Sequence, residues 1–161
     1  MAALHGRAQR GALISEHIME LTINRAAAPE DAYMPIWGPL LAFNQQAVGD
    51  AQGEAFALTI TSDGGDEVLG GLWALSLWGS FYIGLVVAPE GARGQGLGTQ
   101  LMEQAEAEAI ARGCRSMWLD TYAFQARAFY ERLGFTVFGQ IDGPPPIFPR
   151  VFMQKLLTAD A

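Results

Sequence analysis

The chain has one cysteine, two histidines and one lysine among its 161 residues. Cys114 on its own excludes an internal disulfide framework and a cysteine-built zinc cluster. His5 and His17 stand close together near the start of the chain, so no histidine-built catalytic centre is expected and no metal is called for. Charged residues are also scarce, at 17% against roughly 25% in an average soluble chain. Seventeen acids against ten bases leave a net charge of −7, which argues against sequence-independent nucleic-acid binding and against anionic membrane surfaces. With half of the residues apolar, disorder is excluded for most of the chain, because disorder needs low hydrophobicity and high charge. There is no internal repeat. Met1 to Gly11 lacks the apolar run of a signal peptide. Residues 1–15 are expected to form a flexible leader, residues 16–161 a single domain, and the location is expected to be cytoplasmic.

The longest absence is of charge itself: no charged residue occurs from Val68 to Pro89. That length passes the crude ~20-residue test for a membrane span. The run is rich in Val, Trp, Phe and Tyr, however, and is broken by Trp78-Gly79-Ser80-Phe81. Gly-Ser between two apolar runs signals a two-residue hairpin, and no Lys or Arg flanks the run closely. Two strands are expected, not a span.

The same reading places a first strand over His17 to Arg25, with Met19, Leu21 and Ile23 on one face. A helical region follows from Pro29 to about Val48, interrupted by Pro35, Gly38 and Pro39. Strands are expected over Ala55–Thr61, Glu67–Trp78 and Phe81–Ala88. A long helix from about Gly96 to Arg112 carries Leu101, Met102, Ala105 and Ala109 on one stripe, and Gly113 is placed to end it. Ser116–Thr121 is a further strand, Gln125–Leu133 a helix stopped by Gly134, Phe135–Ile141 a strand, and 150–157 the last one. The order predicts a mixed α/β domain around a mostly antiparallel sheet of about seven strands.

The most informative run is Val87-Ala88-Pro89-Glu90-Gly91-Ala92-Arg93-Gly94-Gln95-Gly96-Leu97-Gly98-Thr99, which joins a strand to a helix. Such a loop lets backbone N–H groups converge on an anion at a helix N-terminus. It is not a P-loop, because Leu97 and Gly98 follow Gly96 where Lys and Ser/Thr are needed. Nor is it a dinucleotide fingerprint, because Thr99 stands where the third glycine belongs. A strand-to-helix turn with no ligand is the plain alternative.

Arg93-Gly94-Gln95-Gly96-Leu97-Gly98 resembles the Gln/Arg-x-x-Gly-x-Gly/Ala loop of the GCN5-related N-acetyltransferases, and Leu85-Val86-Val87-Ala88-Pro89-Glu90 resembles the strand end before it. Ala126-Arg127-Ala128-Phe129-Tyr130-Glu131-Arg132-Leu133-Gly134-Phe135 is similar to the family's Ala-x-x-x-Tyr-x-x-x-Gly-Phe helix and turn. Both motifs occur in the family's order, with a helix and a strand between them. The clear resemblance covers about residues 67–140.

The resemblance implies an acetyl-CoA-dependent N-acetyltransferase whose fourth and fifth strands splay apart to admit the pantetheine arm. Leu85, Val86 and Val87 would then pair their main chain with that arm. Gly94, Gln95, Gly96, Leu97, Gly98 and Thr99, beside Arg93, would hold the pyrophosphate. Tyr130 would act as general acid on the departing thiolate. Many members carry Asn about seven residues before the tyrosine; Ala123 stands there in this chain, and Gln125 is the nearest polar substitute.

For the general base, Asp120 is the best-placed carboxylate, with Glu54 and Asp66 behind it; Asp120 as a solvated or turn-capping residue is equally open. Residues 1–80 carry net −6 and residues 81–161 net −1, which suits a cationic amine or merely a solvated surface. Trp37, Trp73 and Phe148 are candidate acceptor contacts that the core would claim as readily. The expected acceptor is the primary amine of a small molecule. A protein or peptide amine, and a non-catalytic acyl-CoA-binding regulatory module, are the rivals. Pairing into a homodimer through a sheet edge is a further expectation.

Overall fold

The computed structural model describes residues 21–51, 53–62, 65–92 and 94–157. It divides into two compact units, Met1–Pro39 and Leu40–Ala161. In the first, a 3-10 turn over Pro29–Ala32 leads into helix α1 (Tyr33–Val48), whose later residues belong to the second unit. Tyr33 and Trp37, one turn apart, stack with centroids 6.3 Å apart. The expected interruption of this helix is absent. Pro35 falls in the first turn, where its missing N–H is not needed; Pro39 removes one interior hydrogen bond, and the helix continues past it.

The second unit is a six-stranded sheet in the order β1-β2-β3-β4-β6-β5. The strands are β1 (Glu54–Thr61), β2 (Val68–Leu77), β3 (Ser80–Val87), β4 (Ser116–Tyr122), β5 (Thr136–Ile141) and β6 (Arg150–Leu156). Helix α2 (Leu97–Ala111) and the short α3 (Arg127–Arg132) connect β3 to β4 and β4 to β5. All neighbours pair antiparallel except β3 and β4. The mixed α/β expectation therefore holds, with six strands in place of about seven. The strand expected over His17–Arg25 accounts for the difference: residues 21–25 lie in no strand, and 17–20, like the leader 1–15, fall outside the described residues. Alternation alone makes no strand; among the described residues Leu21 and Ile23 join no ladder, and they are exposed.

The uncharged run forms β2 and β3. Their turn is Trp78-Gly79, one residue earlier than expected, with φ of 47° and 75°. Positive φ at both central residues is what a two-residue loop needs to follow the twist of its strands. Among the described residues no helix is long and apolar enough to cross a membrane.

The core lies between the sheet and α2. Leu101, Met102, Ala105 and Ala109 bury the expected stripe against Ala74, Phe81, Ile83, Met117 and Met153. Arg112 anchors the C-terminal end of α2. Its Nη1 donates to the Glu54 carbonyl (2.8 Å) and to Ser76 Oγ (3.1 Å), its Nε to Glu108 (2.7 Å), and the guanidinium lies 5.7 Å from the Phe56 ring centre.

Candidate active site

The sheet comes apart along one line. β3 and β4 pair from Ser80↔Ser116 to Ile83↔Leu119 and no further. Beyond that point β3 stays with β2 through Val87, and β4 stays with β6 through Tyr122. The cause is local. Trp73 pairs with Leu85 and Ala74 with Ile83, so Gly84 is an extra residue on β3 with no partner on β2. A bulge of this kind bends its strand and increases its twist. It also shifts the alternation, so that Leu85 and Val87 end up 67% and 58% exposed.

A cleft of about 740 Å³ fills the gap. Residues 83–88 form one wall; Asp120, Thr121, Tyr122, Phe124, Gln125, Tyr130 and Arg150 form much of the other. A second cavity of about 420 Å³ lies against the glycine loop and includes Gly94, Gly96, Leu97, Gly98, Thr99 and Arg132. Val86, Ala88, Ala126 and Tyr130 line both. The two cavities are thus contiguous at Tyr130.

At the loop, Gly96 is the N-cap of α2 with φ of 81° and no side chain caps the helix. The first helical bond is from the Gln100 N–H to the Gly96 carbonyl (3.0 Å). The N–H groups of Leu97, Gly98 and Thr99 precede it and are the orphan donors of the first turn; these residues line a cavity that also holds Arg132, a setting that favours an anion. These residues fit a pyrophosphate. The Gln95 N–H donates to the Ala92 carbonyl (3.3 Å). Arg93 lies outside the described residues.

Tyr130 is positioned by the end of its own helix. Gly134, at φ 87°, donates its N–H to the Glu131 carbonyl (3.1 Å), and Phe135 donates to the Tyr130 carbonyl (3.0 Å). This paired closure is a Schellman motif, which needs a left-handed residue at Gly134 and favours an apolar contact across the turn. Tyr130 and Phe135 make that contact, edge to face at 6.1 Å. The spacing Tyr-x-x-x-Gly-Phe is therefore a helix stop that locks the tyrosine in place. Tyr130 is 8% exposed, its hydroxyl has no hydrogen bond among the described residues, and no buried side-chain polar atom there lacks a partner. Tyr130 lines both cavities.

Asp120 is held by Arg150, whose Nε donates to Oδ2 at 2.5 Å. The Asp120 side chain is 13% exposed and that of Arg150 38%. Arg150 also lies over the rings of Tyr122 (5.2 Å) and Phe152 (5.8 Å). Gln125 turns its carbonyl back to the end of β4, accepting from the Tyr122 N–H (2.9 Å) and from Thr121 Oγ1 (3.2 Å).

Residues 21–135 match the acetyltransferase (GNAT) family profile. The chain belongs to the acetyltransferase (GNAT) family. It is 38% identical over 117 residues to an acetyltransferase of Agrobacterium fabrum, covering 73% of this chain and 84% of that one. It is 37% identical over 92 residues to the blasticidin-S acetyltransferase of Streptomyces morookaense, covering 56% and 68% of the two chains. The crystal structure of an acetyltransferase from Agrobacterium tumefaciens superposes with a TM-score of 0.76 at 32% identity, over 86% of this chain and all of that one. This acetyltransferase is accordingly an acetyl-CoA-dependent acyltransferase.

In the acetyltransferase, burial pushes the Tyr130 phenol above its ordinary value of 10, and the negative charge of Asp120 pushes it further the same way. Of the residues singled out from sequence, the cleft gathers Leu85, Val86, Val87, Asp120, Gln125 and Tyr130. Trp73 and Phe148 are not among its lining residues; Trp73 packs against Gly84, and Phe148 sits edge to face with the cleft residue Phe124 (5.3 Å). Trp37 belongs to the first unit. Glu54 binds at the far end of α2 through Arg112, and Asp66 is exposed. Sequence reasoning missed Arg150 and Arg132. Arg132 was in plain view, two residues after Tyr130, whereas Arg150 reaches the cleft only through the Tyr122↔Arg150 register. Among the described residues no His, Cys, Asp or Glu cluster is placed to hold a metal ion.

Proposed function

We propose that this acetyltransferase moves the acetyl group of acetyl-CoA to the primary amine of a small molecule by direct attack. The observation that carries this reading is the continuity at Tyr130 of a cleft of about 740 Å³ with the cavity of the glycine loop. That volume suits a small ligand. The likeness to the blasticidin-S acetyltransferase, a protein named for a small-molecule acceptor, supports it.

The thioester is supplied as cosubstrate. Leu97, Gly98 and Thr99 offer N–H groups to its pyrophosphate, and the freed edge of β3 at Leu85–Val87 offers main-chain groups to its arm. A neutral amine adds to the thioester carbonyl, forming the C–N bond. As the C–S bond breaks, the thiolate takes a proton from the Tyr130 hydroxyl. Burial raises the Tyr130 phenol, so it holds its proton at neutral pH until a thiolate forms beside it. Asp120 has Oδ2 engaged by Arg150, and we assign it to holding Arg150, while water accepts the amine proton and solvent returns a proton to Tyr130. The proposed location of this chemistry is the cytoplasm.

The test is thiol release from acetyl-CoA over a panel of amines, amino acids, polyamines and peptides. Release with small amines is expected. Release confined to peptides favours the protein-acceptor reading, and acetyl-CoA binding with no release under any acceptor favours the non-catalytic module.

A further inference from the structure

The charged side chains lining the cleft are two among the described residues, Asp120 and Arg150, and they are bound to each other. They are not equivalent. At 38% exposure against 13%, the guanidinium is the member of the pair that faces outward. Its Nε is spent on Asp120, and it makes no other hydrogen bond among the described residues. A guanidinium has five N–H donors, so the terminal nitrogens keep a planar fork for a second acceptor. The rings of Tyr122 and Phe152 under it, and Asp120 beside it, hold that fork in one orientation.

Among the described lining residues the one carboxylate, Asp120, is already engaged by Arg150, so a purely cationic acceptor meets no unpaired carboxylate there. Nor does Arg150 face the phosphates: it lines the cleft and is absent from the cavity of the glycine loop. Resting on the small-amine reading above, we propose that the acceptor carries an anionic group, a carboxylate in the simplest case, which Arg150 binds through its free fork while the amine reaches the thioester near Tyr130. Arg150 is then the specificity-determining residue, and Asp120 the residue that positions it. The net charge of −7 does not oppose this, since a paired fork acts at contact distance.

The experiment compares each amino acid with its own primary amide, in the ω-amino series from glycine to aminopentanoate and in phenylalanine, by thiol release from acetyl-CoA. The expected result is a kcat/KM higher for the acid than for the amide in at least one pair, by about tenfold to a hundredfold as for one charge-assisted contact. Arg150→Gln should cancel or reverse that preference by freeing Asp120, and Arg150→Lys should keep part of it. A merely structural Arg150 would lower acid and amide alike, which overturns the inference. Amides equal to or better than acids in the unaltered protein overturn it as well, and leave the small-amine reading standing. Silence with every acid, amide and simple amine, while acetyl-CoA still binds, overturns both. If Arg150→Gln does not fold, the acid-to-amide ratio of the unaltered protein decides by itself.

Discussion

A methyl group built onto Gly84 would stand 2.9 Å from Cε3 and 3.1 Å from Cζ3 of Trp73. The indole occupies the place of a side chain at the one residue of β3 without a partner on β2, which is also the first residue of β3 past its last pair with β4. Glycine at 84 and tryptophan at 73 are thus complementary halves of the bulge that opens the cleft. Gly84→Ala should displace the indole and cost about 1–3 kcal/mol, as overpacking does. It should also raise KM for acetyl-CoA. Thermal unfolding and initial-rate kinetics read the two effects, and adding Trp73→Leu to Gly84→Ala should restore most of the stability.

Tyr130→Phe removes a hydroxyl that makes no hydrogen bond within the described protein, so the fold should lose little. Turnover should fall roughly 10²–10⁴-fold, the usual contribution of a positioned acid. Acetyl-CoA affinity, measured by calorimetry, should change less than turnover. Equal losses in both would reduce Tyr130 to a binding residue.

The pH dependence follows from the direction of the Tyr130 shift. Its ionisation lies above 10, so the acid stays protonated from about pH 6 to 9. A rise in kcat/KM across that window then reports deprotonation of the amine, and Tyr130→Phe should leave the position of that rise unchanged. For stability, the unfolded chain ionises its tyrosines near 10, before Tyr130 does in the folded state. The contribution is complete below that pH and is lost as pH climbs through the higher folded value.

Asp120→Asn removes one of the two causes of that shift and leaves Arg150 without its anion. Both changes lower the Tyr130 ionisation, visible as tyrosinate absorbance at lower pH, with the double variant Asp120→Asn, Tyr130→Phe as the blank. With water as proton acceptor, kcat should drop less than about tenfold, far short of the loss of a general base. The acid-to-amide preference should weaken as Arg150 loses its positioning partner. A hundredfold drop in kcat with the preference intact would return Asp120 to the role of base.

Gln125→Ala unpairs the Tyr122 N–H and the buried Thr121 hydroxyl together. The expected cost is about 1–3 kcal/mol for a group left unsatisfied, read from the urea midpoint. If Gln125 also meets the pantetheine arm through its amide nitrogen, KM for acetyl-CoA rises as well.

Much of this protein was determined by local pattern. The stripe of Leu101, Met102, Ala105 and Ala109 needs only helical periodicity to be seen, and Gly134 after Tyr130 needs only the rule that a left-handed residue ends a helix. The charge-free run is two strands because β-branched and aromatic residues fill it on either side of a turn. Its turn slid by one residue, to Trp78-Gly79, because register is settled by the ladder on both sides and not by which residue best suits a turn. Tertiary structure alone decided three other matters. The first strand needs a neighbour, and among the described residues 21–25 pair with none. The bulge at Gly84 is a mismatch between two strands, invisible in either one. Arg150 enters the site because antiparallel pairing sets it beside Tyr122, twenty-eight residues away. Periodicity and caps act over a few residues and can be read from them; register and side-chain company depend on what the folded chain brings alongside.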